Sequence, residues 1–488
     1  MNPSPEITLE ELKKFKKSGN YDIAPVSTQM LSDMRTPIQV LRILKKASDH
    51  CYLLESAGDN DNWGRYTFLG YDPGIEITCL DGKLKIGDEI SETDDPQSRI
   101  REVLARYRSP RISSLPPFTG GLVGYFAYDF IKYAEKSLKI TAYDEERFND
   151  IDLMLFDKVI AFDHLKQKII IIVNVRLDDY EAEYGKAITE LSKIMDLIEK
   201  GEMSEDTRGH ATEEFTPALG KEEFCEMVNR AKHHIVEGDI FQIVLSNRLS
   251  ASFEGSLLDT YRMLRTINPS PYMFYFCSSD IELAGASPET LVKLEDGVLH
   301  TFPLAGTRKR GKNADEDEKI KEELLADPKE LAEHNMLVDL GRNDLGRISK
   351  FGSVKVERLR DVLFFSHVMH IGSTVRGEIR DDEDALSAIG SVLPAGTLSG
   401  APKIRACELI NELEHDNRGI YGGAIGYIDF TGNMDTCISI RLAYKKKGKV
   451  YIRSGAGIVA DSDPESEYNE CINKASAMVK AIKEAGEV

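Results

Sequence analysis

The chain has 488 residues, 41% hydrophobic and 30% charged, which at about 150 residues per domain makes room for about two to four domains with real cores. Its 62 basic and 82 acidic residues sum to −20. This argues against a nucleic-acid or anionic-membrane partner, because no excess of Lys and Arg exists to neutralise phosphates; a small acidic substrate needs a local basic pocket.

Seven widely spaced cysteines, at 51, 79, 225, 277, 407, 437 and 471, suggest neither a disulfide framework nor a C-x-x-C zinc site. Reduced thiols in the cytoplasm are expected. Glu and Lys interrupt the apolar positions of residues 1–17, and the longest aliphatic run, 169–173, is far below the roughly 20 residues of a membrane span. An unexported, soluble chain is therefore expected.

In chain order, residues 40–175 read as strands and turns, with strand signals at 52–54, 153–162 and 169–175 and an Asp-Gly turn at Asp81-Gly82. Residues 201–217 are polar, aperiodic and end in Pro, the pattern of a linker or long surface loop, and the main boundary is placed there. From Lys221, apolar Phe224, Met227, Val228, Ala231 and Ile235 keep helical spacing until Gly238-Asp239, and a strand over 240–246 follows. Further strands are expected at 272–277, 291–294, 437–444 and 450–453. Helices are expected around 329–340, after Pro402, and from Asp463-Pro464, with Asp as N-cap and Pro at the first helical position. Strands do not alternate strictly with helices, which favours an α+β fold over a doubly wound parallel sheet.

Several residues could carry chemistry. Glu330 and Glu333 lie three apart on one helix face, and Glu467 and Glu470 repeat the spacing on the last helix. Two such faces could meet around a hard cation such as magnesium, although so acidic a chain also places E-x-x-E on solvated helices by chance. Gly455-Ala456-Gly457 lacks the third glycine of a dinucleotide fingerprint, and 396–403 lacks the G-K-[ST] of a P-loop. Those two segments and Gly306-Thr307-Arg308 remain close-approach loops or plain turns. His367 and His370 sit in an apolar stretch, where either core packing or acid/base work is open. Arg441 reads as a strand residue, and Glu470 with Lys474 as an i,i+4 surface pair.

The joint order of these segments resembles the chorismate-utilising enzymes and, among them, the anthranilate synthase component I family. The matching strings are LLES (53–56), GDIFQIVLS (238–246), NPSPYM (268–273), GASPE (285–289), PLAGTR (303–308), KELAEHNMLVDLGRNDLGR (329–347), HVMH (367–370), PAGTLSGAPK (394–403), GGAIGY (422–427) and SGAGIVADSDPESEYNE (454–470). They cover the second region almost completely and the first more thinly, through LLES and GGLVGYFAYDF.

The resemblance implies an α/β/β/α sandwich of mainly antiparallel sheets with the active site in a central cleft. Residues 20–200 would form the N-terminal region, carrying part of a tryptophan site, and residues 218–484 the chorismate-binding catalytic region. It implies magnesium on Glu333 and Glu470, supported by Glu330 and Glu467 through waters. Chorismate would meet Gly306, Thr307, Tyr421, Arg441, Lys474 and the amides of Gly455, Ala456 and Gly457. Glu289 would be the general acid, His370 a proton handler in the elimination, and Thr397 its neighbour. Relatives that add water carry a lysine base where Gln242 stands, and aminodeoxychorismate synthases carry a nucleophilic lysine where Ala305 stands. Neither base nor covalent nucleophile is present, so the ammonia-using, anthranilate-forming reading is preferred to an aminodeoxychorismate or isochorismate-type synthase. A catalytically silent chorismate-binding subunit is the other alternative. No cysteine sits in a glutaminase-like elbow, so a separate glutamine amidotransferase subunit is expected in a hetero-oligomer such as a heterotetramer. Glu55, Ser56, Pro271, Tyr272 and Met273 match the family's site for inhibitory tryptophan, while the local sequence supports a plain turn equally well.

Overall fold

The computed structural model describes residues 4–57, 64–143, 146–364, 368–414 and 416–487. Among these, the strands form two sheets, of 13 and 12 strands, whose neighbours pair antiparallel throughout. The sheets stack face to face. Phe274, Phe276, Leu283 and Tyr444 from the larger meet Val123, Tyr125, Met154 and Phe156 from the smaller in one buried cluster, and burial of such side chains supplies the main drive to fold. Helices Pro37–Ala47, Tyr180–Lys200, Leu258–Ile267 and Pro464–Glu487 cover the outer face of the larger sheet. Helices Pro96–Leu104, Pro328–Gly346 and Ala385–Val392 cover that of the smaller. The expected α/β/β/α sandwich is observed.

Local sequence explains many elements. In helix Lys221–Val236 the apolar spacing buries Phe224, Met227, Val228 and Ala231 on one face. The last helix starts as expected, with the Asp463 carboxylate accepting the Ser466 amide at 2.9 Å. Strand Lys168–Arg176 carries a continuous aliphatic run because it lies between Ile23–Leu31 and Lys158–Asp163 with both faces covered.

Both sheets run through both halves of the sequence. Strand Cys51–Glu55 pairs with Tyr272–Cys277, and Gly121–Phe126 with Ala424–Asp429. The polar segment 201–217 crosses the surface between them, and its short strands His210–Ala211 and Thr216–Pro217 pair onto Gln242–Glu254. All seven cysteines are free thiols, and no helix among the described residues is long and apolar enough to cross a membrane.

Two runs expected as single strands are each two strands in different sheets. The run 153–162 divides into Ile151–Phe156, in the smaller sheet, and Lys158–Asp163, in the larger. The run 437–444 divides into Met434–Ile438 and Leu442–Lys446, again one in each sheet. Apolar content continues across each break because the chain stays inside the sandwich while it changes layer. Arg441 is therefore not a strand residue; it stands on a crossover.

Candidate active site

Two such crossovers lie side by side. Strand Glu282–Ser287 belongs to the larger sheet and Thr290–Glu295 to the smaller, so Pro288 and Glu289 bridge the layers, as residues 439–441 do nearby. Hydrogen bonds stitch the two together. The Ile438 amide donates to the Glu289 carbonyl at 3.0 Å, the Ala286 amide to the Arg441 carbonyl at 3.0 Å, and the Ser287 hydroxyl to the Ile438 carbonyl at 2.7 Å. Arg441 takes a left-handed backbone, φ +52°. Such a conformation costs a non-glycine residue energy and is concentrated at functional sites.

A cavity of about 580 Å3 lies against these crossovers. Its wall brings together Gln242, Glu289, Gly306, Thr307, Glu333, His370, Thr397, Tyr421, Arg441, Gly455, Gly457, Glu467, Glu470 and Lys474 from distant parts of the chain. Ala305 is on the same wall. Two expected residues are not. The side chain of Ala456 points to the opposite face of its strand and is buried among Ile243, Leu245 and Ile458, as strand alternation requires once Gly455 and Gly457 face the cavity. Glu330 is instead ion-paired with Arg308 at 2.8 Å. His367 lies outside the described residues.

The Thr397 hydroxyl donates to Glu289 Oε1 at 3.1 Å. Desolvation pushes the Glu289 carboxyl up to about 7, against the opposing pull of Thr397 and Arg441. Near neutrality it is thus a carboxylic acid with a proton to give. Thr397 lies on the turn Gly396–Leu398, packed so closely on helix Pro328–Gly346 that a Cβ at Gly396 would come within 2.6 Å of Leu340. The buried Arg418 holds the turn from behind, donating to the Leu398 carbonyl and, at 2.7 Å, to that of Val244, while pairing with Glu414.

His370 pairs across the sheet with Thr307. Its Nδ1 lies 3.0 Å from the Thr307 hydroxyl and 3.3 Å from the Gly306 carbonyl. A carbonyl only accepts, so this contact assigns the hydrogen to Nδ1 and the lone pair to Nε2. Burial holds the imidazole below its usual range, with Arg441 adding to the effect, which leaves His370 a neutral base at pH 7. Gly306 forms a β-bulge between Ala305 and Thr307 at φ +65°, a conformation that suits glycine and re-aims neighbouring side chains.

Glu333 reaches the cavity from helix Pro328–Gly346, and Glu467, Glu470 and Lys474 from the last helix. Lys474 bonds both Glu470, at 2.7 Å, and the Gly455 carbonyl, at 3.0 Å, so the expected surface pair also belongs to the cavity wall. Burial raises the Glu333 and Glu467 carboxyls, and Glu470 adds to both shifts. Six acids, Glu289, Glu333, Asp461, Asp463, Glu467 and Glu470, face four bases, Lys329, Arg441, Arg453 and Lys474. The expected basic pocket is therefore absent as a simple charge excess. Among the described residues no group of three or more His, Cys, Asp and Glu could hold a metal by itself. Magnesium commonly takes only one or two carboxylates and completes its shell with water and an acidic substrate, and the crowded carboxylates fit that use. Arg453, buried and tied to Glu414 and Asp416, was not recognisable from sequence as part of this wall; its only local signal is its place one turn of the alternation before Gly455.

A second cavity, of about 220 Å3, lies between the sheets. Glu55, Ser56, Pro271, Tyr272 and Met273 all line it, with Lys293, Tyr427 and Asp435 opposite. Glu55 bonds Arg265 at 2.6 Å and the Tyr261 hydroxyl at 2.5 Å; the Tyr272 hydroxyl bonds Asp435 at 2.8 Å and Thr290 at 3.0 Å.

A family model described as chorismate binding enzyme matches residues 49–480. The chain belongs to this family of chorismate-binding enzymes. Within it, the chain is 44% identical over 493 residues to anthranilate synthase component 1 of Acetivibrio thermocellus, covering 99% of both chains. It is 43% identical over 497 residues to anthranilate synthase component 1 of Aquifex aeolicus (strain VF5), covering 99% of this chain and 98% of that one. The crystal structure of anthranilate synthase component I from Streptococcus pneumoniae TIGR4 shares the fold with a TM-score of 0.75 and 36% identity, over 92% of this chain and 98% of its own.

Proposed function

We propose that this chain is the synthase subunit of an anthranilate synthase, a lyase converting chorismate and ammonia to anthranilate and pyruvate on the way to tryptophan. The observation that carries the reading is a cavity wall that holds both a carboxylic acid, Glu289, raised to about 7, and a neutral His370.

The chemistry follows from these groups. Hydroxide is a poor leaving group, so Glu289 protonates the departing ring hydroxyl. Gln242 is buried on the same wall, and its carboxamide oxygen has no hydrogen-bond partner among the described residues; it can accept an N–H of ammonia but cannot deprotonate water. Ala305 offers no covalent nucleophile. His370 Nε2 takes the ring proton in the elimination of pyruvate. Arg441 and Lys474 hold the substrate carboxylates, with Thr307, Tyr421 and the cavity faces of Gly306, Gly455 and Gly457 shaping the site around the ring. Glu333 and Glu470 would hold magnesium, with Glu467 beside them, and the ion would supply the positive charge that the wall lacks for a dianion. Glu330 would act through its hold on Arg308.

Ammonia would come from a glutamine amidotransferase subunit in a cytoplasmic hetero-oligomer. Tryptophan would bind the second cavity as a feedback inhibitor. The test is the purified chain with chorismate, magnesium and ammonium salt, followed by anthranilate fluorescence and product chromatography. Anthranilate from ammonium but not from glutamine supports the reading; isochorismate, a para-amino product or no product overturns it.

A further inference from the structure

Glu289 is a partition between two cavities. On one side is the large cavity of the proposed reaction; on the other is a chamber of about 40 Å3 whose wall includes Glu289, Thr397, Thr301, Gly341 and Asp344. The chamber has room for water, which needs only about 10–15 Å3 of such space and two to four polar partners; in a largely apolar lining, Glu289, Thr290, Thr301, Asp344 and Thr397 offer polar side chains. On its wall the Asp344 carboxylate is held by Lys403 at 2.8 Å, and each partner keeps 11% of its side chain exposed. We propose that this chamber is a proton-return path: water in it, reaching solvent past Asp344 and Lys403, reprotonates Glu289 from the side facing away from substrate.

The need arises from the proposed chemistry, on which this inference rests. In the first step the C4–O bond breaks with its electron pair going to oxygen, the Glu289 O–H bond breaks, its proton joins that oxygen, and water leaves. The lone pair of ammonia forms the new C–N bond at carbon 2 as the ring double bonds shift toward carbon 4 to replace the broken C–O bond, and the resulting ammonium releases one proton to solvent. Glu289 is left as a carboxylate and must regain one proton before the next turnover. While substrate and product fill the large cavity, the chamber offers solvent a separate route to the same carboxyl.

Gly341 provides a test with little risk to the fold. It lies inside helix Pro328–Gly346, and a Cβ there would meet Pro303 Cγ and Thr301 Cγ2 and Oγ1 at 3.6 Å, an ordinary contact directed at two other chamber residues. Alanine is also the better helix former. Gly341→Ala therefore fills the chamber without strain, and Thr301→Val removes a hydroxyl from its wall without changing its shape. Each variant is assayed in the full chain with chorismate, magnesium and saturating ammonium in H2O and D2O. The expected result for Gly341→Ala is a fall in kcat of about tenfold, a larger solvent isotope effect on kcat, and unchanged KM for both substrates; Thr301→Val shifts the same way by less. Wild-type kcat and isotope effect in both variants overturn the proposal. So does a raised KM for ammonium at unchanged kcat, which would make the chamber an ammonia entry. Glu289→Gln separates the two readings: if it keeps wild-type turnover, the assignment of the acid fails, and if it is inactive while Gly341→Ala is unaffected, only the return path fails.

Discussion

Glu289 and Arg441 stand on neighbouring crossovers between the two sheets, tied together by the Ile438 amide on the Glu289 carbonyl and the Ala286 amide on the Arg441 carbonyl, both at 3.0 Å. Where a strand leaves its sheet the regular ladder ends and side chains can turn into the space between layers. An acid and a cation are thereby fixed at a desolvated wall by backbone bonds rather than by their own flexible side chains, the preorganisation that electrostatic catalysis requires.

The position of Glu289 sets the pH dependence. Activity that needs its proton declines as pH rises through about 7. Thr397 lowers that value by bonding the ionised form, so Thr397→Val moves the alkaline limb of the kcat profile to higher pH. Glu289→Gln lowers kcat by about 10²–10⁴, which single-turnover assays at pH 7 will measure.

The same group trades stability for function. The folded-state value of Glu289 is raised above its ordinary 4.5, so its contribution to stability is fully present below pH 4.5 and is lost as pH rises through about 7. The Tm of Glu289→Gln relative to wild type should therefore be higher at pH 8 than at pH 4.5; scanning calorimetry at both values checks the sign.

Magnesium binding should be visible without turnover. An ion that binds only the folded chain stabilises it by about 2.7 kcal/mol at a concentration 100 times its Kd. Adding magnesium with chorismate should raise the Tm of the wild type, and chelation should reverse the gain. Glu333→Gln and Glu470→Gln should each abolish most of it.

Tryptophan inhibition should depend on the second cavity. Ser56 lines its wall, and Ser56→Phe places a ring in a space of about 220 Å3. Titrating tryptophan against ammonia-dependent activity should show the inhibitory concentration rising more than about tenfold, a loss of over about 1.4 kcal/mol in binding, with much smaller change in turnover.

Arg418 anchors the turn that carries Thr397. Arg418 and Glu414 each expose only 1% of their side chains, and Arg418→Met leaves the Glu414 charge without its main partner. Breaking a buried pair in this way costs about 3–5 kcal/mol, which urea denaturation will register as a lower midpoint at unchanged slope.

The sequence by itself determined the parts governed by near neighbours and by motif. Apolar periodicity located helix Lys221–Val236, and the cap at Asp463 opened the last helix. The ordered strings from GDIFQIVLS to SGAGIVADSDPESEYNE named many of the residues that line the main cavity, and LLES and NPSPYM named residues of the second. Tertiary structure alone decided the rest. The strand expected over 437–444 and that over 153–162 change sheets midway, which periodicity cannot register because apolar residues continue through the crossover. Whether Glu330 faces the cavity or Arg308, and that Asp344 and Gly341 bound a chamber behind Glu289, depend on contacts between segments far apart in the chain. The rise of Glu289 to about 7 has the same origin: desolvation is the sum of everything packed around a carboxyl, and no stretch of sequence contains it.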